Sequence, residues 1–194
     1  MVTRSDNPPS LALKILGIAL LAGLGAVVGA ATTTLVLEQS MPWADAVALV
    51  AAGALIAMAV ASGVVMAFRP ASVPKGCGIL QIVVLVLAAA MFALPIYGTA
   101  YVAPDVVFWT VIALLVIQTV ANVMLWNKAD EMLRRIMAET GAMAFIACEG
   151  ALFVYAAAER LGLVGPVSSW GLIGIAMGVY LAASSIAAAR RGIH

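Results

Sequence analysis

Six long apolar stretches limit what this sequence of 194 residues can fold into. A transmembrane helix needs about 20 mostly apolar residues to cross about 30 Å of hydrocarbon, and each stretch is long enough. They cover residues 11–37, 43–68, 78–103, 105–126, 130–158 and 169–189. The first stretch exceeds the roughly 7–15 apolar residues of a cleavable signal, so we expect it to be retained. The sequence predicts an all-α polytopic membrane protein with one membrane-embedded helical domain over residues 1–194.

The composition indicates that lipid solvates most of the surface. Hydrophobic residues make up 65% of the chain and charged residues only 10%, whereas soluble domains carry about 25% charged residues. A single domain of this length could not hide so much apolar surface from water. We therefore expect the lipid bilayer to be the main partner. Ten Lys and Arg against nine Asp and Glu leave a net charge of +1, so the chain lacks the basic block that a nucleic acid requires.

The residues that common enzyme chemistries need are missing from the sequence. The only histidine is the last residue, His194, which excludes a His-based metal site, a Ser/His triad or paired haem ligands within the spans. The sequence also lacks a Gly-x-Ser-x-Gly turn and a Walker phosphate loop. Cys77 and Cys148 lie in different segments and predict no disulfide framework. We expect no enzymatic activity, no metal and no cofactor.

Lysine and arginine residues predict the orientation of the six spans. One side carries nine of the ten: Arg4, Lys14, Arg69, Lys75, Lys128, Arg134, Arg135, Arg190 and Arg191. Arg160 alone falls on the other side. Short cytoplasmic loops of membrane proteins are enriched in Lys and Arg. Both termini are therefore expected in the cytoplasm.

Small residues recur at every fourth position on three spans and predict close helix packing. They are Ala22, Ala26 and Ala30 beside Gly25 and Gly29 in the first span, Gly53, Ala57 and Ala61 in the second, and Gly174, Gly178 and Ala182 in the sixth. Packing within one chain explains these patterns most simply. A seam between copies on the first or the sixth span is the alternative.

Beyond the charged residues at its start, the fifth span contains two acidic residues. Glu139 follows Arg135 by four residues, so the two side chains share a helix face and predict a structural ion pair near the interface. Glu149 lies about 21 Å along the helix from Arg135, and no Lys or Arg elsewhere in the sequence falls at its depth. An ionised carboxylate facing lipid there is costly, so we expect Glu149 to face the helix bundle. It is either a proton- or cation-binding group or a neutral packing residue.

Gln118 and Asn122 are the candidate polar partners in the fourth span. They are four residues apart and share a helix face. Counted from the same end of the spans, Asn122 lies near the depth of Glu139 and Gln118 about one turn deeper. With Glu139, they would line the cytoplasmic side of a pathway to Glu149. Hydrogen bonds between helices are the alternative role for this layer.

The last 65–70 residues, roughly, contain a series of residues that resembles a pattern in small uncharacterised bacterial inner-membrane proteins. Its residues are Asp130-Glu131, Arg134-Arg135-Ile136, Glu139, Ala144-Phe145, Tyr155, Glu159, Pro166 and Ala189-Arg190-Arg191. The chain departs from the pattern by its additional N-terminal spans and by Glu149. The resemblance implies a bacterial inner-membrane protein and carries no known activity.

Two hypotheses for function follow from these observations. The first is a non-enzymatic packing or accessory component of a membrane assembly, either a homo-oligomer or a complex with other membrane subunits. The second is a small proton- or cation-coupled transporter or channel that uses Glu149. Spans one to three and four to six share no motif that would indicate an inverted repeat, and polar residues are scarce, so the first hypothesis is favoured.

Overall fold

The computed structural model describes residues 29–30, 33–34, 40–68 and 76–190. They form five α-helices: α1 (Trp43–Phe68), α2 (Cys77–Tyr97), α3 (Pro104–Lys128), α4 (Glu131–Arg160) and α5 (Ser169–Arg190). These ranges contain no β-strand, and all five helices are long and apolar enough to cross a membrane. The predicted first span lies outside the described residues except for Gly29, Ala30, Thr33 and Thr34, which are helical and exposed.

The helix bounds follow the apolar stretches, with one clear difference. The helix α1 covers the same residues as the predicted second span, 43–68. In contrast, α2 ends at Tyr97, and one 3-10 turn, Gly98–Ala100, continues the chain. The predicted third span reaches residue 103 because hydropathy does not register where the α-helical hydrogen bonding stops. Pro104 then occupies the first turn of α3, where its missing N–H leaves no hydrogen bond unmade.

The helices pack in the order α3–α2–α1–α5–α4, so α1 lies at the centre of the series, between α2 and α5. The core cluster joins α1 and α2 and contains four alanines and two larger residues: Ala48, Ala52, Leu55, Ala88, Ala89 and Phe92. The Phe92 ring also contacts Trp170 of α5 at a centroid distance of 5.8 Å. Because apolar side chains gain little by leaving lipid, close backbone approach through small residues is the main source of this packing.

The helices α1 and α5 run in the same direction and cross closely near their first turns. A Cβ atom on Gly171 would overlap the Trp43 ring, and one on Gly174 would lie 2.9 Å from Val47 Cγ1. The sequence predicted a small-residue face that includes both Gly174 and Gly178. Gly174 is at a helix contact, whereas a Cβ on Gly178 would have no neighbouring atom within 4 Å. The crossing therefore depends on the first two turns of α5.

The helix α4 is the least buried of the five. Only 6% of its most apolar 18-residue window is buried, compared with 28% for α1. Its buried residues are Ile136, Thr140 and Ala144, all in the first half of the helix. The packing partner of α4 is α5. Most of its surface therefore faces away from the other described helices.

Candidate functional site

The start of α4 is fixed by local hydrogen bonds. The Asp130 carboxylate accepts a hydrogen bond from the Leu133 backbone N–H at 2.8 Å and caps the helix. Arg134 folds back, and its Nε donates to the Ala129 carbonyl at 2.9 Å. An acidic cap also interacts favourably with the positive end of the helix dipole. These contacts fix the residue at which α4 begins, while the buried residues Ile136, Thr140 and Ala144 determine which side of the helix packs inward.

Glu139 forms an ion pair with the end of α5. Its Oε1 lies 3.8 Å from Nη1 of Arg190. The sequence predicted Arg135 as the partner of Glu139. The structure instead pairs Glu139 with Arg190, and the Arg135 side chain is exposed. Spacing within α4 could not reveal Arg190, because the pair forms only when the antiparallel helix α5 brings its C-terminal turn beside α4. The long distance and the exposed guanidinium indicate a weak structural contact.

Asn122 lies in a cleft between α3 and α4. The cleft is lined by Thr119, Asn122, Val123 and Trp126 of α3 and by Met137 of α4. The Thr119 hydroxyl donates to the Leu115 carbonyl of its own helix at 2.8 Å. Glu139 follows Met137 by two residues, which places it about 200° around the helix. Glu139 therefore lies on the side of α4 that faces away from the cleft that Asn122 lines.

Gln118 is half-buried and lies one helical turn before Asn122 on the same face of α3. It is not among the residues that line the cleft. The described helices thus do not bring Gln118, Asn122, Glu139 and Glu149 together into one polar path. The described residues also contain no cluster of three His, Cys, Asp or Glu side chains that could hold a metal ion.

Glu149 is exposed on the outer side of α4. The prediction that it faces the helix bundle is therefore wrong for the described part of the chain. Nine residues separate it from Thr140, and nine residues at about 100° each place the two side chains on opposite sides of the helix. Because the side of α4 that carries Thr140 packs inward, Glu149 must point outward. Exposed apolar side chains surround it, including Phe145, Leu152 and Phe153.

Glu149 is also unusual in its position along the chain. Eighteen residues separate it from Glu131 at the start of α4 and eleven from Arg160 at the end, or about 27 Å and 16 Å. Every other charged side chain in the five described helices lies within ten residues of a helix end. The described bundle thus presents one carboxyl group at mid-helix depth, on an outer surface.

Tyr155 has a structural role that the sequence pattern only partly indicated. The Val167 backbone N–H donates to its hydroxyl oxygen at 2.7 Å, and the hydroxyl donates to the Gly165 carbonyl at 3.3 Å. These bonds hold the α4–α5 connection against the last turns of α4. Tyr155 and Pro166 were both noted in the sequence, but their proximity depends on the turn that the chain makes at Gly162, where φ is +72°.

Comparisons of the chain with protein-family models, with curated proteins and with solved structures found no match.

Proposed function

We propose that the chain is a six-span protein of a bacterial inner membrane with both termini in the cytoplasm. The five described helices account for five of these spans by length and composition. Lys128, Arg134 and Arg190 lie toward one end of the bundle, and Arg160 lies at the other. This distribution supports the cytoplasmic assignment of the more basic end. The bacterial inner membrane is proposed from the resemblance of the last third of the chain.

Within that membrane, the chain acts as a non-enzymatic packing or accessory component of a membrane assembly. The observation that carries this proposal is the outward orientation of Glu149 on the poorly buried helix α4. Ionisable groups in membrane helices normally face a bundle interior or a water-filled cavity. A carboxyl group on the outer face of the described helices needs a hydrogen-bonding partner from outside those helices, because lipid chains offer it none. A second polypeptide in a membrane assembly would supply that partner.

The arrangement of the other polar residues supports assembly over transport. A transporter that used Glu149 would need polar side chains leading to it from one side of the membrane. In the described helices, Asn122 lines the α3–α4 cleft, Glu139 contacts Arg190, and Glu149 lies on the far side of α4. Glu149 and the cleft residue Met137 are also separated by about 18 Å along the helix. The cleft therefore provides no route to Glu149.

The proposal is tested in liposomes that contain the purified full-length chain. Proton and potassium flux are measured with a trapped pH dye and with a potassium-selective electrode, for the wild type, for Glu149→Gln and for protein-free liposomes. We expect all three to give the same background flux. Extraction from native membranes in mild detergent is expected to give a species larger than one 19.9 kDa chain with its detergent. Flux above background that is lost in Glu149→Gln would contradict the proposal.

A matched variant separates a specific role of Glu149 from general damage. Glu159→Gln changes a carboxyl group of the same helix, near its end, to the same amide. If flux were present and fell equally in both variants, a leak caused by altered α4 packing would explain it. Thermal unfolding in detergent, measured for each variant, shows whether the protein is folded when the flux is recorded.

A further inference from the structure

The helices α3 and α4 separate directly after a short junction. Only Ala129 and Asp130 lie between the end of α3 at Lys128 and the start of α4 at Glu131. Beyond the junction, α3 packs mainly against α2 and α4 packs against α5, so a gap remains between them. The cleft that Asn122 lines lies in this gap. Its volume of about 370 Å³ falls within the range of about 300–1,000 Å³ that small-molecule sites occupy.

The cleft lies close to the level at which lipid headgroups meet hydrocarbon. The helix α3 is about 37 Å long, compared with about 30 Å of hydrocarbon, so about 4 Å of it extends past each boundary. Asn122 is six residues before the end of α3, or about 9 Å, and therefore lies about 5 Å inside the boundary. Trp126 also lines the cleft, and tryptophan is enriched at this level of membrane proteins. The ester groups of a phospholipid beside the cleft are thus close to the depth of Asn122.

The Asn122 amide takes its hydrogen-bonding partner from outside the described helices. Its side chain is half-buried in the cleft, and among the described residues it has no hydrogen-bonding partner. In contrast, the Thr119 hydroxyl of the same cleft already bonds the Leu115 carbonyl. An amide removed from water without a partner is costly. The ester carbonyls of a phospholipid provide acceptors near this depth, whereas its acyl chains provide none.

The charged side chains at the junction suit a phospholipid headgroup. Arg134 lies one turn before Met137 on the same side of α4, and its Nε donates to the Ala129 carbonyl at 2.9 Å. That bond leaves the two terminal nitrogens to bind phosphate oxygens, in the paired geometry that a guanidinium group favours. Asp130 and Glu131 lie at the same junction, and their carboxylates attract an ammonium group.

We propose that the cleft between α3 and α4 binds one phospholipid whose headgroup carries both a phosphate and a primary ammonium group. Arg134 binds the phosphate, the two carboxylates of the junction attract the ammonium, and Asn122 donates to an ester carbonyl. One acyl chain then lies in the cleft against Val123 and Met137. This inference goes beyond the proposed assembly function and does not depend on it.

The predicted first span offers Asn122 no equivalent partner. Counted six residues from its end on the same side, residue 17 lies at the depth of Asn122. Residues 15–31 contain only Gly, Ala, Val, Leu and Ile, so their side chains form no hydrogen bonds. Lys14, the nearest polar residue of that span, lies about 4.5 Å closer to the headgroups, and lysine side chains extend toward the interface. The chemistry of the cleft therefore favours a phospholipid over this segment.

Native mass spectrometry of the purified full-length chain tests the proposal. The chain is stripped of lipid in detergent and titrated with an equimolar mixture of phosphatidylethanolamine and phosphatidylglycerol, whose adducts differ in mass. We expect one phosphatidylethanolamine to saturate each chain before phosphatidylglycerol binds. Equal binding of the two lipids, or a preference for phosphatidylglycerol, would overturn the proposal.

Matched variants assign the binding to the cleft. Asn122→Leu is expected to weaken phosphatidylethanolamine binding about 2- to 12-fold, the effect of one hydrogen bond. Gln118→Leu removes the same amide one turn away, outside the cleft, and should change little. Arg134→Gln is expected to weaken binding about 10-fold or more, because its hydrogen bonds join charged groups, whereas Arg135→Gln removes the same charge from another side of α4. Equal losses within either pair of variants would contradict the assignment.

A photoreactive benzoylphenylalanine in place of Val123 identifies the occupant of the cleft in native membranes. Illumination is expected to attach lipid to this position, with phosphatidylethanolamine enriched over its proportion in the membrane. The same group in place of Val116, which is exposed on α3 and outside the cleft, should attach lipids in the proportions of the membrane. Attachment of position 123 to residues 11–37 of the same chain, or to another protein, would exclude a phospholipid as the occupant.

Two further measurements separate lipid binding from damage to the fold. Thermal unfolding in detergent, measured for every variant, shows whether weaker binding is caused by unfolding. Arg134→Lys restores the positive charge without the paired nitrogens and is expected to recover part of the binding that Arg134→Gln loses. Absence of any recovery would overturn the phosphate contact. The flux and extraction measurements that test the assembly function do not involve the cleft, so the two proposals can fail separately.

Discussion

The crossing of α1 and α5 offers a sharp test of how this bundle is held together. Gly174→Ala adds one methyl group that would lie 2.9 Å from Val47 Cγ1 and 3.6 Å from the Ala48 backbone nitrogen. Val47 is β-branched and has little rotational freedom in a helix, and the α1 backbone lies behind it. The methyl group can therefore be accommodated only by moving the two helices apart.

The magnitude follows from two opposing terms. Replacing glycine by alanine within a helix stabilises it by about 1 kcal/mol, whereas overpacking a close contact costs about 1–3 kcal/mol. Gly178→Ala, one turn further along α5, adds the same methyl group where no atom lies within 4 Å. The gain in helix stability from replacing glycine by alanine is the same in both variants, so it cancels when their free energies of unfolding are compared. Gly174→Ala should therefore be less stable than Gly178→Ala by about 1–3 kcal/mol.

The assay is equilibrium unfolding of the purified chain in mixed micelles by increasing the fraction of a denaturing detergent, followed by circular dichroism. Val47→Ala in the Gly174→Ala background removes the opposing Cγ atoms and is expected to recover part of the loss. A Gly174→Ala variant that equals or exceeds Gly178→Ala in stability would refute the close approach of α1 and α5. Absence of recovery in the double variant would show that Val47 is not the obstructing side chain.

Three further changes have expected outcomes that follow directly from single contacts. Tyr155→Phe removes the acceptor of the Val167 N–H and should cost about 1 kcal/mol, with faster proteolysis of the α4–α5 connection as the readout. Asp130→Ala should cost about 0.5–2 kcal/mol through the lost helix cap, and Asp130→Asn should retain most of it, both measured by unfolding in detergent. A double-mutant cycle on Glu139 and Arg190 should give a coupling below about 1 kcal/mol, because such exposed ion pairs are weak; a larger coupling would show a buried, specific pair.

The positions of the helices could be predicted from the sequence because they depend on local properties. Hydropathy over about 20 residues determines which segments are stable in lipid, and it located α1 at residues 43–68 as the structure has it. The predicted spans at 105–126 and 130–158 begin within one residue of α3 and α4, where the structure places Pro104 in the first turn and Asp130 as the cap; both act on neighbouring backbone groups. Such signals need no knowledge of the packing.

The directions of the side chains could not be predicted in the same way. The cost of a lipid-exposed carboxylate suggested that Glu149 faces inward, but the rotation of α4 is set by the packing of Ile136, Thr140 and Ala144, and Glu149 is on the opposite side. The partner of Glu139 was assigned within α4, whereas the described contact comes from Arg190 of another helix. Both errors concern contacts between helices, which spacing along one helix cannot determine.

The outward orientation of Glu149 is the claim on which the proposed function depends, and collision accessibility of a spin label tests it most directly. The label is attached to Glu149→Cys in a Cys77→Ala/Cys148→Ala background, with one protein copy in each lipid nanodisc so that no second chain covers the site. We expect frequent collisions with oxygen, which dissolves in lipid, and few with a water-soluble nickel chelate. Thr140→Cys, on the packed side of α4, should collide rarely with either. A label at position 149 that the nickel chelate reaches, or that neither reagent reaches, would contradict the account.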